Sequence, residues 1–170
     1  MNSLSRCQRL LIGHGAFVLL FGFIMGFGFL FFLVEKGLDG GGTGFIELWP
    51  IPWRLEIVMP GTYDSWRMAH MEGVVNGLVL WVVALALPLM PFGDKGQLRT
   101  TWTMIVVAWT IVIASALDPL FVHSRGLRMG LNTPNTIAFL LFYVGVVSVC
   151  VLVAVIGYKA LINPGARRDP

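Results

Sequence analysis

Apolar positions gather into four long runs along the chain, at residues 10–34, 69–90, 101–121 and 137–161, separated by shorter polar segments rich in glycine and proline. Each run reaches the roughly 20 residues that a helix needs to cross ~30 Å of hydrocarbon. Lipid offers no partner to backbone N–H and C=O groups, so spans of this length are expected as helices rather than isolated strands. The pattern therefore predicts an all-α chain: a single membrane domain over 1–170, built as a bundle of four transmembrane helices. The first run follows Arg6 and Arg9 as a secretory signal would. It is long for that role and no small-residue cleavage site follows, so it is expected to persist as a helix.

Between the first two runs, Gly40-Gly41-Gly42 and the breakers Gly37, Gly44, Pro50, Pro52 and Pro60 mark an outer loop over 35–67. Trp49, Trp53, Tyr63 and Trp66 suit the interfacial belt, and the segment from Leu55 to Met59 is expected to dip into the membrane surface. A connector anchored among headgroups is the commoner reading of such a loop; a lid over a site is the other.

Composition strengthens the membrane assignment: 56% of residues are apolar and only 12% are charged, which does not describe a soluble domain. Placing both termini inside puts Arg6, Arg9, Lys95, Arg99, Lys159, Arg167 and Arg168 on the cytoplasmic side, against Lys36, Arg54, Arg67, Arg125 and Arg128 outside. The net charge of +3 then reflects topology and anionic headgroups. There is no basic cluster to suggest nucleic acid. Cys7 and Cys150 sit at different depths and are not expected to pair.

The second run carries the most informative chemistry. Its head reads Trp66-Arg67-Met68-Ala69-His70-Met71-Glu72-Gly73-Val74-Val75-Asn76-Gly77, and ionisable groups at such depth are costly unless partnered. At 100° per residue, Val74, Gly77 and Trp81 fall within about 40° of His70, with Gly73 beside them. A histidine flanked by glycines leaves room for a flat group, and imidazole is a natural axial ligand of haem iron. Gly73-x-x-x-Gly77 is equally an ordinary helix-packing motif, with His70 hydrogen-bonded inside the bundle. Asn76 lies about 120° around the axis from His70, so the two point at different neighbours. If they serve one site, different subunits supply them, in a head-to-tail arrangement that closes into a ring. Otherwise Asn76 makes an interhelical hydrogen bond.

Other polar groups are weaker signals. His14, between Gly13 and Gly15, fits a packing seam continued by Gly22 and Gly26 better than a ligand role. Ser115 and Asp118 share a face near the end of the third run, where Asp118 is expected to be solvated or paired with Arg125 or Arg128 rather than handling protons. His123 is expected to be wet, and Tyr143 to be a core aromatic.

Over roughly residues 13–161 the sequence resembles the styrene oxide isomerases, small four-helix membrane enzymes of bacteria. The resemblance rests on Gly13-His14-Gly15, Pro60-Gly61 followed by Trp66, Ala69-His70 with Asn76-Gly77, Leu87-Pro88, Asp94-Lys95, Trp109, Arg125-Gly126-Leu127 and Val155-Ile156-Gly157-Tyr158. It implies a homotrimer in the bacterial inner membrane that holds haem b, with its iron, at each subunit interface and turns a small apolar aryl epoxide into an aldehyde. By position, His70 corresponds to the axial ligand of the iron, within a cofactor-binding face of Gly73, Gly77 and Trp81, and Asn76 corresponds to the active-site asparagine. The family's third-span tyrosine is missing: Ser115 or Ala116 stands there, leaving Ser115, Asp118 or a tyrosine elsewhere such as Tyr143 to substitute. The competing expectation is a haem b membrane protein for electron transfer, gas sensing or haem handling, which a His14–His70 ligand pair would favour.

Overall fold

The computed structural model describes residues 4–37, 41–47, 49–121, 123–130 and 132–162. Arg167 and Arg168, expected on the cytoplasmic side, lie outside the described residues. The elements run α1 (Arg6–Lys36), β1 (Phe45–Glu47), β2 (Arg54–Glu56), α2 (Tyr63–Ala86), α3 (Asp94–Leu120) and α4 (Thr133–Ile162). All four helices are long and apolar enough to cross a membrane.

Local chemistry explains where the helices start and stop. Ser5 and Gln8 form a reciprocal capping box ahead of α1, satisfying two donors that the first turn leaves orphaned. Gly37, at φ 70°, closes that helix in a left-handed conformation that suits glycine. Thr62 and Ser65 make the same reciprocal arrangement at the head of α2. After Ala86, α2 tightens into one 3-10 turn, Leu87–Leu89, at Pro88. Pro119 sits in the last turn of α3, which ends one residue later at Leu120, with the capping Phe121 N–H bonded to the Leu117 carbonyl at 3.0 Å.

The loop expected over 35–67 is corrected at both ends. Glu35 and Lys36 complete α1, and the Thr62 cap starts α2 early enough to make Arg67 helical. The interior is not featureless either, since β1 and β2 pair antiparallel as Phe45↔Glu56, Ile46↔Leu55 and Glu47↔Arg54. Leu55 thus belongs to a strand. Backbone bonds from Thr43 and Gly44 to the Val34 carbonyl, and from Met59 N–H to the Glu35 carboxylate, tie the hairpin to the end of α1.

The core lies among α1, α2 and α3. One cluster gathers Leu11, Val18, Leu80, Ala84, Met104, Ala108 and Val112; a second, nearer the hairpin, gathers Met25, Phe32, Trp66, Ala69 and Ala116. The tightest contact is the antiparallel α1–α2 seam. A Cβ added at Gly22 would lie 2.8 Å from the Gly73 carbonyl carbon, and one at Gly15 would lie 2.6 Å from the Trp81 ring. Only glycine lets two backbones approach so closely. By contrast α4 packs on α3, where Gly145 fits against Thr110 and Ile111. Tyr143, expected in the core, instead lies 62% exposed on α4, stacked on Phe139. Its outward position follows from α4 having a neighbour on one side only.

Candidate functional site

His70 stands two turns into α2, half-buried at the edge of the α1–α2 seam. Its Nδ1 lies 2.9 Å from the Gly22 carbonyl of α1. A carbonyl can only accept, so Nδ1 carries the proton and donates it, which leaves the Nε2 lone pair available. The ring lies so close to α1 that a Cβ on Gly26 would come within 2.7 Å of Nδ1. Among the described residues, Nε2 has no hydrogen-bond partner.

This is the arrangement a metal-ligating histidine needs: one nitrogen tied to a backbone carbonyl, which fixes tautomer and ring plane, and the other free to coordinate. The donor set therefore fits a haem iron held by one imidazole. No cluster of three or more His, Cys, Asp or Glu side chains suited to a bare metal ion occurs among the described residues.

Of the two roles that the spacing of the glycines beside His70 offered, helix packing is the one seen within the chain. Gly73 is buried against Gly22, and Gly77 against Leu19 and the Gly15 carbonyl, so the room expected there for a flat group is filled by α1. Trp81 donates its indole N–H to the Ile12 carbonyl at 3.0 Å and covers Gly15, fastening the same seam. Within one chain these three residues serve packing. The glycines that seat the imidazole are Gly22 and Gly26 on the neighbouring helix.

Asn76 is half-buried on a different face of α2, as its spacing from His70 required. Its Nδ2 lies 2.9 Å from both the Glu72 carbonyl and a Glu72 carboxylate oxygen. Both neighbours are acceptors, so the amide nitrogen must face them, and the amide oxygen is turned away. The sequence reading gave no role to Glu72 as the partner of Asn76. The signal was there, because residues four apart on a helix are neighbours.

The third helix does not join this group. Ser115 is completely buried, and its hydroxyl has no hydrogen-bond partner among the described residues. Asp118 lies on a cleft of about 410 Å³ at the hairpin end, with Gly61, Thr62, Ser65, His123 and Arg125. Arg125 shares that cleft, but the direct ion pairs among the described residues are Lys36–Glu35 and Arg54–Glu47. His123 is exposed, as expected.

His14 is engaged elsewhere. Its Nδ1 accepts the Trp109 indole N–H at 3.2 Å, and it lies eight residues before the Gly22 that binds His70, about 12 Å along α1. The two histidines do not form a pair. Asn135 also escaped the sequence reading: fully buried, it accepts from Gly126 N–H and donates to the Arg128 and Gly130 carbonyls, clasping the turn before α4. No short motif announces such a role, since its partners are backbone groups.

The sequence is similar to those of known proteins. Residues 7–161 match the styrene oxide isomerase family. The chain is also 30% identical to the styrene-oxide isomerase of Pseudomonas fluorescens, over 95% of its own length and 92% of that protein's. A match through all four helices, including the seam that holds His70, shows that the chain belongs to the styrene oxide isomerase family and is an isomerase.

Proposed function

We propose that the protein is inserted in the bacterial inner membrane, as a homotrimer, and uses haem b to rearrange small aryl epoxides such as styrene oxide to aldehydes. The observation that carries this reading is the His70 bond to Gly22, which leaves Nε2 oriented and free. Insertion is supported by the apolar residues exposed on every helix, among them Phe27, Leu85, Val106 and Val153, which have no counterpart on a water-soluble monomer. When bound, ferric haem with a single histidine ligand supplies a Lewis-acidic face that polarises an epoxide oxygen.

The chain's own residues do the rest. His70 would hold the iron through Nε2, with its ring plane set by the Nδ1–H bond to the Gly22 carbonyl. Asn76 faces away from His70 of its own chain, so it meets a site built by the neighbouring subunit. Its amide N–H groups are taken by Glu72, so it presents an oxygen. As the benzylic C–O bond breaks, the substrate's carbon becomes positive, and an oxygen dipole is complementary to that charge. A hydride then migrates with its electron pair to the cationic carbon and the oxygen becomes a carbonyl, without net redox change. Met71, Val75 and Leu78 make the nearby surface apolar, which admits the epoxide and excludes water that would trap the cation as a diol.

An electron-transfer haem with two histidine ligands is the alternative, and the engagement of His14 by Trp109 speaks against it. The test is an absorption spectrum of the purified protein followed by anaerobic incubation with aryl epoxides. A Soret band and aldehyde product are expected from the wild type, and neither from His70→Ala. Absence of the band, or of turnover across a broad epoxide panel, overturns the proposal.

A further inference from the structure

We infer that Arg67 is the cation that anchors the carboxylate edge of the porphyrin, an assignment that rests on the haem reading of His70. Tyr63, Arg67, His70 and Val74 fall within an arc of about 60° on α2. Arg67 is one turn, about 4.5 Å of rise, closer to the start of the helix than His70. It is exposed, and its guanidinium makes no ion pair or side-chain hydrogen bond among the described residues. Of the other cations at this end, two are ion-paired, and Arg125 and Arg128 line clefts with other residues. Lys36 pairs with Glu35 at 2.7 Å, Arg54 pairs with Glu47 at 3.2 Å and lies over Phe45, and Arg125 belongs to the Asp118 cleft.

The chemistry of the ligand completes the argument. Haem b is an apolar disc with two carboxylates on one edge, and carboxylates are costly in hydrocarbon without a partner. A disc held by Nε2 of His70 is best accommodated with that edge toward the start of α2, where the hairpin and the helix cap mark the polar end. A guanidinium on the same stripe offers a planar fork of donors that matches a carboxylate. His70 then holds the metal and Arg67 the edge, and the pair fixes which way the disc faces.

The experiment compares haemin with its dimethyl ester, in which the carboxylates are neutral, as ligands for full-length protein purified from haem-starved cells. Affinity is read from the Soret band on titration. The wild type should bind haemin on the order of tenfold tighter than the ester. Arg67→Gln should weaken haemin to the level of the ester while leaving the ester unchanged, and Arg67→Lys should fall between. Because Arg67 is exposed, circular dichroism should show the variants as helical as the wild type. Arg67→Gln that binds haemin as the wild type does would overturn the assignment, as when Arg67 serves a lipid phosphate instead. Wild type that binds neither compound, or His70→Ala that binds both normally, would overturn the haem reading beneath it.

Discussion

The α1–α2 seam and the interior of α3 treat polar groups in opposite ways. In the seam, polar side chains find partners across the helices: His70 on Gly22, Trp81 on Ile12, Gln8 on Ala84. In α3 the hydroxyls of Thr101 and Ser115 are buried with no partner among the described residues. Buried polar groups are normally satisfied, so the seam reads as an organised frame and α3 as the place with slack. The difference matters because His70 lies in the frame, whereas Ser115, where the family resemblance leads one to expect a tyrosine, lies in the slack.

The comparison can be broken most severely at the glycine contact. In Gly73→Val the new side chain meets the Gly22 backbone, forcing the helices apart and removing the His70 bond with them. Overpacking alone costs about 1–3 kcal/mol, so a large fall in thermal stability in detergent is expected, together with lost haem. Retained stability would mean that the seam is looser than its geometry. A smaller effect is expected from Asn76→Ala, which strips Glu72 of its amide partner at about 1–3 kcal/mol. Activity should fall further than stability, with haem content unchanged; equal kinetics in the variant would remove Asn76 from the site. The smallest effect is expected at Ser115→Ala, which deletes an unpartnered hydroxyl and should be neutral or stabilising by about 1 kcal/mol. If aldehyde formation collapses while stability holds, Ser115 does chemistry after all.

Much of the architecture was legible because it depends on local length and composition. Four apolar runs, each long enough as a helix to cross the hydrocarbon core, could become little else than four long helices. The distance around the axis between His70 and Asn76 was likewise legible, since it follows from helix geometry. The role of Gly73 and Gly77 was not. A glycine beside a histidine makes room, and spacing does not say whether a cofactor or another helix fills it. The start of α2 was misplaced because its cap, Thr62 with Ser65, uses a serine where glutamate or glutamine would be the familiar signal.

By itself the sequence determined the number of long helices, the depth of His70 within the second, and the resemblance in motif order that points to the family. Tertiary structure alone decided that α1 closes over the glycines, that the Gly22 carbonyl accepts the N–H of His70, that His14 is held by Trp109, and that α4 rests on α3. The physical reason is that packed and outward faces of these helices are almost equally apolar, so periodicity carries little information about which side meets which neighbour. Hydrogen bonds to backbone carbonyls carry none at all in the identity of the accepting residue, and such a bond is what orients His70.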